Sequence, residues 1–178
     1  MRHLQKNWLM NNGKKVTKYI EEALIYLLKQ KELKDITITD IIKKAGVCRA
    51  SFYRNYLNID EIIDSILKKI SLKFQNVKHD DIQSLIKNSL KVIKEEKDIF
   101  TTFYKRKLTY KIYELTYEVT LNEINKMNVL NNKYQPCFFA GASSAVMLEW
   151  IKNNFQESED ELTTLFIRSL NGYVEINE

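Results

Sequence analysis

Residues 36–56 contain two short helical patterns separated by Gly46, and this segment constrains the fold more than any other. The first helix is predicted to begin after Thr37, because Asp40 stands three residues later and can complete a capping box. Ile41 lies on the apolar side of this helix, and Gly46 supplies the left-handed residue that commonly ends a helix. Two helices joined by so short a turn are typical of a helix-turn-helix motif.

The second helix of this pair has two different faces. Phe52 and Tyr56 are four residues apart and fall on one side, whereas Arg49 and Tyr53 fall on another. The second helix of a helix-turn-helix enters the major groove of DNA, and a face with Arg and Tyr suits that role. An ordinary helical hairpin uses the same Gly turn, so spacing alone leaves both interpretations open.

Composition favours an all-α protein. With 4 Gly and 1 Pro in 178 residues, tight turns are few, and no alternating strand pattern is sustained. We predict about nine helices: an N-terminal three-helix head that contains the helix-turn-helix, and a C-terminal helical bundle. The predicted domain boundary separates residues 1–57 from residues 58–178, and a helix over 58–76 connects the two.

Capping residues predict where several helices begin. Helical spacing of apolar residues predicts the first helix over about 14–31. A fourth helix is predicted to start at Asn58 as N-cap, with Glu61 completing a second capping box. Further helix starts are predicted at Asp80 or Asp81 and at Ser158, the latter with Glu161 in a third capping box.

Five helices are predicted in the body of the chain. A polar loop over 128–134 precedes Pro136, a residue that suits the first turn of a helix. That helix is predicted over about 137–155. The last helix is predicted to end at Leu170, with Gly172 past its end.

Charge is distributed unevenly between the two parts of the chain. Residues 1–70 hold 14 Lys and Arg against 8 Asp and Glu, whereas residues 71–178 hold 14 against 15. A basic head on a nearly neutral body is the expected electrostatic pattern of a DNA-binding module joined to another domain. A generally Lys-rich composition would give a similar but less localised excess, so charge supports the motif without replacing it.

Residues for catalysis or metal binding are sparse. The two cysteines, Cys48 and Cys137, lack metal-ligand spacing, and the two histidines are His3 and His79. The sequence has no Gly-rich phosphate loop and no nucleophile elbow. We therefore expect a protein that is not an enzyme and needs no cofactor or metal.

The sequence also predicts where the protein acts. The weakly polar run 137–148 is shorter than the about 20 apolar residues that a membrane-spanning helix needs. Residues 1–8 are polar and do not resemble a signal peptide. We expect a cytoplasmic protein that does not interact with membranes.

The segment 36–63 resembles the DNA-binding head of TetR/AcrR-type transcriptional regulators. The matching elements are Ile36-Thr37 before the first helix of the helix-turn-helix, Ala45-Gly46-Val47 at the turn, and Phe52-Tyr53 in its second helix, the recognition helix. The acidic start Asp60-Glu61 of the fourth helix of the chain also matches. The resemblance covers residues 14–70 well and the remainder in outline. It implies a homodimer that binds palindromic double-stranded DNA, most simply as a repressor released by a signal.

The resemblance also implies which residues touch DNA. It assigns base contacts to Arg49, Ala50, Ser51 and Tyr53, and phosphate contacts to Thr37, Thr39, Arg54 and Asn55. The chemistry agrees, because Arg pairs with guanine, Ala contacts a thymine methyl group, and hydroxyl and amide groups bind phosphate oxygens.

Two residues depart from the family pattern. Ile59 stands where a Lys commonly contacts phosphate, and Cys48 replaces the usual Ser or Thr at the N-cap of the recognition helix. Both departures favour an alternative function, a TetR-like co-activator that acts through a protein partner without binding an operator.

For the body, the resemblance implies a ligand pocket and a dimer interface. The pocket would be walled by aromatic residues and hold a small apolar or aromatic molecule, although an aromatic stripe is more often simply core. The small residues of the second-last helix could likewise pack within the chain instead of against a second copy. The predicted ligand residues are Phe103, Tyr104, Tyr113, Tyr117 and Trp150, and the predicted dimer residues are Ala140, Ser143, Ser144, Met147, Ile151, Leu162, Leu165 and Phe166.

Overall fold

The structure is a computed structural model that describes residues 2–127 and 132–174, with side chains placed for residues 15–127 and 132–170. Within these ranges it contains nine α-helices, one 3-10 turn at Leu33–Asp35 and no strand, which confirms the all-α prediction. The helices are α1 (Arg2–Leu28), α2 (Ile38–Ala45), α3 (Arg49–Tyr53), α4 (Ile59–Gln75), α5 (Ile82–Glu95), α6 (Lys97–Lys105), α7 (Thr109–Met127), α8 (Gln135–Lys152) and α9 (Glu159–Val174).

Local side-chain chemistry sets the helix ends in the head. The capping box of α2 is present, with Thr37 accepting from the backbone N–H of Asp40 and the Asp40 carboxylate accepting from the N–H of Thr37. Gly46 ends α2 at a φ of 66°, in the left-handed region that suits Gly. Before α4, Asn58 accepts from the N–H of Glu61, whose own carboxylate accepts from Leu57, one residue earlier than predicted.

Caps in the body also follow the predictions. Asp81 begins α5 and forms a capping box with Ser84. Pro136 lies in the first turn of α8, where its missing N–H removes no helical hydrogen bond. At the start of α9, the backbone N–H of Ser158 donates to the Glu161 carboxylate at 2.7 Å, and the N–H of Glu161 donates to the Ser158 hydroxyl at 3.2 Å.

Several predicted helix bounds were wrong. Helix α1 spans Arg2–Leu28 instead of about 14–31, and α9 continues through Gly172 to Val174 instead of ending at Leu170. An interior Gly costs a helix about 1 kcal/mol relative to Ala, which is not enough to end it where the chain continues favourably. Helix α8 ends at Lys152, because Asn154 and Phe155 take positive φ values of 55° and 60°. Of the predicted loop over 128–134, residues 128–131 lie outside the described residues.

The chain divides into two compact units, Met1–Lys68 and Lys69–Glu178. In the first unit, α1 packs against α2 and contributes its apolar stripe to the core. On the part of α4 that belongs to this unit, Ile62, Ile63, Ile66 and Leu67 are buried. The core of this unit includes Ile20, Leu24, Leu28, Ile41, Phe52, Ile62 and Ile63, each with no solvent exposure or nearly none.

The second unit is a bundle of five helices together with the end of α4. Helix α8 packs mainly against α7 and also against α6, whereas α9 packs against α5. Trp150 is 2% exposed, donates its indole N–H to the carbonyl of Glu157 at 3.0 Å and meets the ring of Phe155 at a centroid distance of 4.8 Å. These contacts fix the chain as it leaves α8.

Candidate functional site

Helices α2 and α3 form a helix-turn-helix, and its second helix has one buried and one exposed face. Phe52 is fully buried and Tyr56, just beyond the helix, is 6% exposed, so both belong to the core as their spacing indicated. Tyr53 on the other face is 41% exposed. The buried aromatic residues therefore fix the orientation of α3 in the unit and leave the Tyr53 face open to a partner.

The structure brings Arg49 and Tyr53 together on this open face. The Arg49 guanidinium lies 3.5 Å from the Tyr53 hydroxyl and 5.6 Å from the centre of its ring. Such a contact restrains a long side chain that otherwise has many rotamers. Of the eight residues predicted to touch DNA, Thr37, Thr39, Arg49, Ala50, Tyr53 and Arg54 are exposed, and Ser51 and Asn55 are half-buried.

Thr37 and Asn55 are partly engaged inside the chain. The Thr37 hydroxyl donates to the Asp40 carboxylate at 2.8 Å, and the Asn55 side-chain amide donates to the carbonyl of Ser51 at 2.7 Å. Lys31 donates to the same Asp40 carboxylate at 2.9 Å. The hydrogen bonds from Lys31 and Thr37 hold the pKa of Asp40 well below its usual range. The carboxylate thus ties the start of α2 to the segment that follows α1.

Cys48 occupies the N-cap of α3 and makes no side-chain capping bond. Its sulfur instead lies 3.2 Å from the Ser51 hydroxyl, and the hydrogen bond from Ser51 lowers the pKa of the exposed Cys48 thiol. The weak cap predicted from the sequence is therefore present.

A buried polar cluster behind α3 was missed in the sequence. Tyr56 donates its hydroxyl hydrogen to the Glu21 carboxylate at 2.7 Å, and Ser65 donates to the same oxygen at 2.8 Å. Glu21 is 7% exposed, and burial raises the pKa of Tyr56. The signal that could have revealed it is the position of Glu21, which shares the buried face of α1 with Leu24 and Leu28.

A second feature missed from the sequence joins α1 to α2 at the surface. The Lys44 ammonium lies 3.2 Å above the centre of the Tyr26 ring, close enough for a cation–π contact. Tyr26 is 44% exposed. The contact keeps a positive charge near the end of α2, on the unit that carries the helix-turn-helix.

The second unit contains an apolar cavity of about 50 Å³ between α5, α7, α8 and α9. The polar residues on its wall are Ser89, Thr116, Thr120, Glu123 and Ser143. Among the described side chains, the Ser143 hydroxyl is the one fully buried polar atom without a hydrogen-bond partner. The lining consists of Phe74, Ile82, Leu85, Ile86, Ser89, Ile93, Thr116, Val119, Thr120, Glu123, Ile124, Phe139, Ser143, Met147 and Phe166.

None of the five predicted ligand residues lines this cavity. Phe103 and Trp150 are buried in the core, and Tyr104 is half-buried. Tyr113 is 39% exposed and stacks on Tyr117 at a centroid distance of 5.9 Å. A hydrogen bond with the Cys137 thiol raises the pKa of Tyr117. The structure therefore brings Tyr113 and Tyr117 together at the surface, away from the cavity.

The predicted dimer residues lie mostly inside the chain. Leu165 is 48% exposed, whereas the other seven are buried in their own unit. The Ser144 hydroxyl donates to the carbonyl of Ala140 at 2.9 Å within α8. Three of the seven, Ser143, Met147 and Phe166, line the cavity. The small-residue face of α8 thus packs within the chain, the alternative that the sequence had left open.

The described residues form neither a membrane-spanning helix nor a metal site. None of the described helices is long and apolar enough to cross a membrane. No group of three or more His, Cys, Asp and Glu side chains in the described ranges could hold a metal ion.

Comparison with known proteins shows the family. Residues 80–172, more than half of the chain, match a TetR sequence family described as a transcriptional regulator C-terminal region. A search of curated protein sequences gave no significant match.

Two solved structures share the fold. One is the dihydroxyacetone kinase operon activator DhaS, at 17% identity and a TM-score of 0.65, over 90% of this chain and 97% of that one. The other is Lin0861 from Listeria innocua, at 18% identity and a TM-score of 0.69, over 90% and 91%. Identities this low show the fold alone. The sequence match over residues 80–172 shows that the chain belongs to the TetR family of transcriptional regulators.

Proposed function

We propose that this regulator binds a palindromic DNA operator as a homodimer and acts as a repressor that a small ligand releases. The DNA-binding part rests on the exposed face of α3. Arg49 and Tyr53 are exposed and held together there, while Phe52 fixes the helix from behind. An Arg on the exposed side of a recognition helix can pair with both acceptors of a guanine in the major groove.

The proposed contacts divide into base and phosphate contacts. Arg49, Ala50, Ser51 and Tyr53 would read bases, since they belong to α3 itself. Thr37, Thr39, Arg54 and Asn55 would bind the phosphate backbone and set the register of the protein on the duplex. The Thr37 hydroxyl already donates to Asp40, so Thr39 and Arg54 are the stronger candidates among these four.

The proposed dimer uses the exposed sides of α8 and α9. Leu165 on α9 and Phe138 on α8 are 48% and 55% exposed, large apolar surfaces that a second copy would cover. A two-fold interface presents the same patch from each chain, which would place two recognition helices symmetrically on a palindrome. In this proposal residues 1–57 bind DNA, and residues 58–178 bind the ligand and form the dimer.

The proposed ligand site is the apolar cavity between α5, α7, α8 and α9. A ligand shifts the regulator only if it binds the released conformation better than the DNA-bound one. Helix α4 contributes residues to both compact units, and its Phe74 lines the cavity. We propose that α4 carries the change from the cavity to the head.

The alternative function is that of a co-activator that works through a protein partner. One of the two solved structures with this fold is of an operon activator. Two residues reduce the expected DNA affinity. Ile59 stands where the family commonly has a Lys, and Cys48 forms no side-chain cap at the start of α3.

Selection of genomic DNA fragments with purified protein distinguishes the two functions. A repressor should enrich an inverted repeat whose half-site centres lie about 34–36 Å apart, one helical turn. Its affinity should fall steeply as salt rises, because bound Lys and Arg release counterions from the DNA. Failure to enrich any inverted repeat at low salt would favour the co-activator.

A further inference from the structure

We propose that the cavity of the second unit binds a small, uncharged, amphipathic molecule: a narrow aliphatic chain with one hydrogen-bonding head placed at Ser143. This deepens the ligand part of the proposed function, and it rests on that function only for the effect on DNA. The cavity wall carries one buried unpaired hydroxyl, a mostly apolar lining and one paired carboxylate.

Four residues on the wall carry hydroxyls, Ser89, Thr116, Thr120 and Ser143, and among them the hydroxyl of Ser143 is the one that is fully buried without a partner. Ser143 is 4% exposed and its hydroxyl has no partner, although a buried unpaired hydroxyl is costly. The Thr116 hydroxyl, also on the wall, already donates to the carbonyl of Ile112 at 3.0 Å. A ligand hydroxyl or carbonyl at Ser143 would remove the cost of its unpaired hydroxyl.

The rest of the wall sets the size and polarity of the ligand. Its side chains are mostly aliphatic and aromatic, and the cavity holds about 50 Å³. This space exceeds the about 10–15 Å³ that a cavity needs to hold one water and is about a third of the roughly 150 Å³ cavity that binds benzene. A narrow chain can enter it as the flexible Met147 moves to lengthen the space, whereas a ring needs the full width at once.

The single charged residue on the wall disfavours a charged head group. Glu123 is 9% exposed, and its carboxylate accepts from the Lys126 ammonium at 2.6 Å. An anionic head would be repelled by this carboxylate in a poorly hydrated site. A cationic head would have to compete with Lys126, which is already in place. An uncharged head meets neither difficulty.

Three probes of equal chain length test the head group: 1-hexanol, hexanoate and hexylamine, measured by titration calorimetry on the full chain without DNA. We expect 1-hexanol to bind at least about tenfold more tightly than either charged probe. Equal affinity for all three, or no binding of 1-hexanol at millimolar concentration, would overturn the proposal. So would tighter binding of hexylamine that Glu123→Gln abolishes.

A matched pair of variants tests the position of the head. Ser143→Ala should weaken 1-hexanol binding about fivefold, the loss of about one hydrogen bond, and should leave the chain folded. Ser144→Ala is the control, because its hydroxyl is equally buried but bonds to Ala140 within α8. It should keep the affinity for 1-hexanol. Unchanged binding in Ser143→Ala would contradict the assignment.

The outcome is separable from that of the proposed function. If 1-hexanol binds in a Ser143-dependent manner but the chain binds no DNA, the ligand inference stands and the repressor proposal fails. If the chain binds an operator and none of the probes binds, the DNA-binding proposal stands and the ligand inference fails.

Discussion

The Tyr56 hydroxyl donates to the Glu21 carboxylate across 2.7 Å, joining the residue that follows the recognition helix to the middle of α1. Ser65 of α4 donates to the same carboxylate oxygen, so three segments of the first unit meet at one buried group. Because this contact lies directly behind α3, it contributes to the orientation of the helix that is proposed to enter DNA.

Removing the Tyr56 hydroxyl should therefore destabilise the first unit. In Tyr56→Phe the ring stays in place but Glu21 loses a donor, which typically costs about 1–3 kcal/mol for a buried polar group. Urea unfolding monitored by circular dichroism measures the change. Tyr53→Phe, on the exposed face, is the control and should change stability by less than about 0.5 kcal/mol. Equal effects of the two substitutions would show that the buried cluster contributes nothing specific.

The capping carboxylate of α2 predicts a pH dependence. Its partners lower the pKa of Asp40, so the folded state holds fewer protons on this group than the unfolded state. The resulting stabilisation is present above the unfolded pKa of about 3.9 and is lost as the pH falls through the lower folded pKa.

Asp40→Asn should accordingly be less stable than the parent at pH 7, and the difference should shrink as the pH falls below about 4. Denaturation series at pH 7 and at acid pH measure this. Glu118→Gln, an exposed position on α7, provides the control for general charge effects. A stability difference that is the same at both pH values would exclude the carboxylate as its cause.

Local features of this chain were predictable from the sequence, whereas contacts across long sequence separations were not. Thr37, Asp40 and Gly46 act within one or two turns, so their spacing alone predicted both ends of α2. The Glu21–Tyr56 contact joins residues 35 positions apart, and α1 periodicity shows only that Glu21 shares an apolar face. Which residues meet there depends on how the helices pack.

In the second unit, periodicity predicted which residues are buried but not what covers them. Periodicity predicted that Ser143, Met147 and Phe166 lie on buried faces, and the structure shows them buried. A periodic pattern gives no information on whether the covering surface belongs to the same chain or to a second copy. The cavity that they line depends on the packing of α5, α7, α8 and α9, and nothing in the spacing of one helix specifies it.

The DNA-binding proposal predicts a specific defect for Arg49. Arg49→Ala should lose about 1–3 kcal/mol of discrimination at one base pair of the operator, because a paired contact to guanine disappears. Competition binding with operators mutated at single positions measures it. Lys91→Ala, which removes a positive charge at an exposed position on α5, is the control and should bind the operator as the parent does. A uniform loss across all operator variants would assign Arg49 to phosphate instead of to a base.

The dimer proposal is tested best at Leu165, the one exposed member of the predicted interface. Leu165→Glu would place an unpaired charge in a buried contact between two copies, which is strongly unfavourable. We expect a monomer by light scattering at micromolar concentration and loss of operator binding.

Leu72→Glu is the control, since Leu72 on α4 is 47% exposed against 48% for Leu165, and it should remain dimeric. Ala140→Glu is unsuitable for this purpose, because Ala140 is fully buried in its own chain and a charge there would unfold the bundle. A parent protein that is monomeric under the same conditions would refute the dimer.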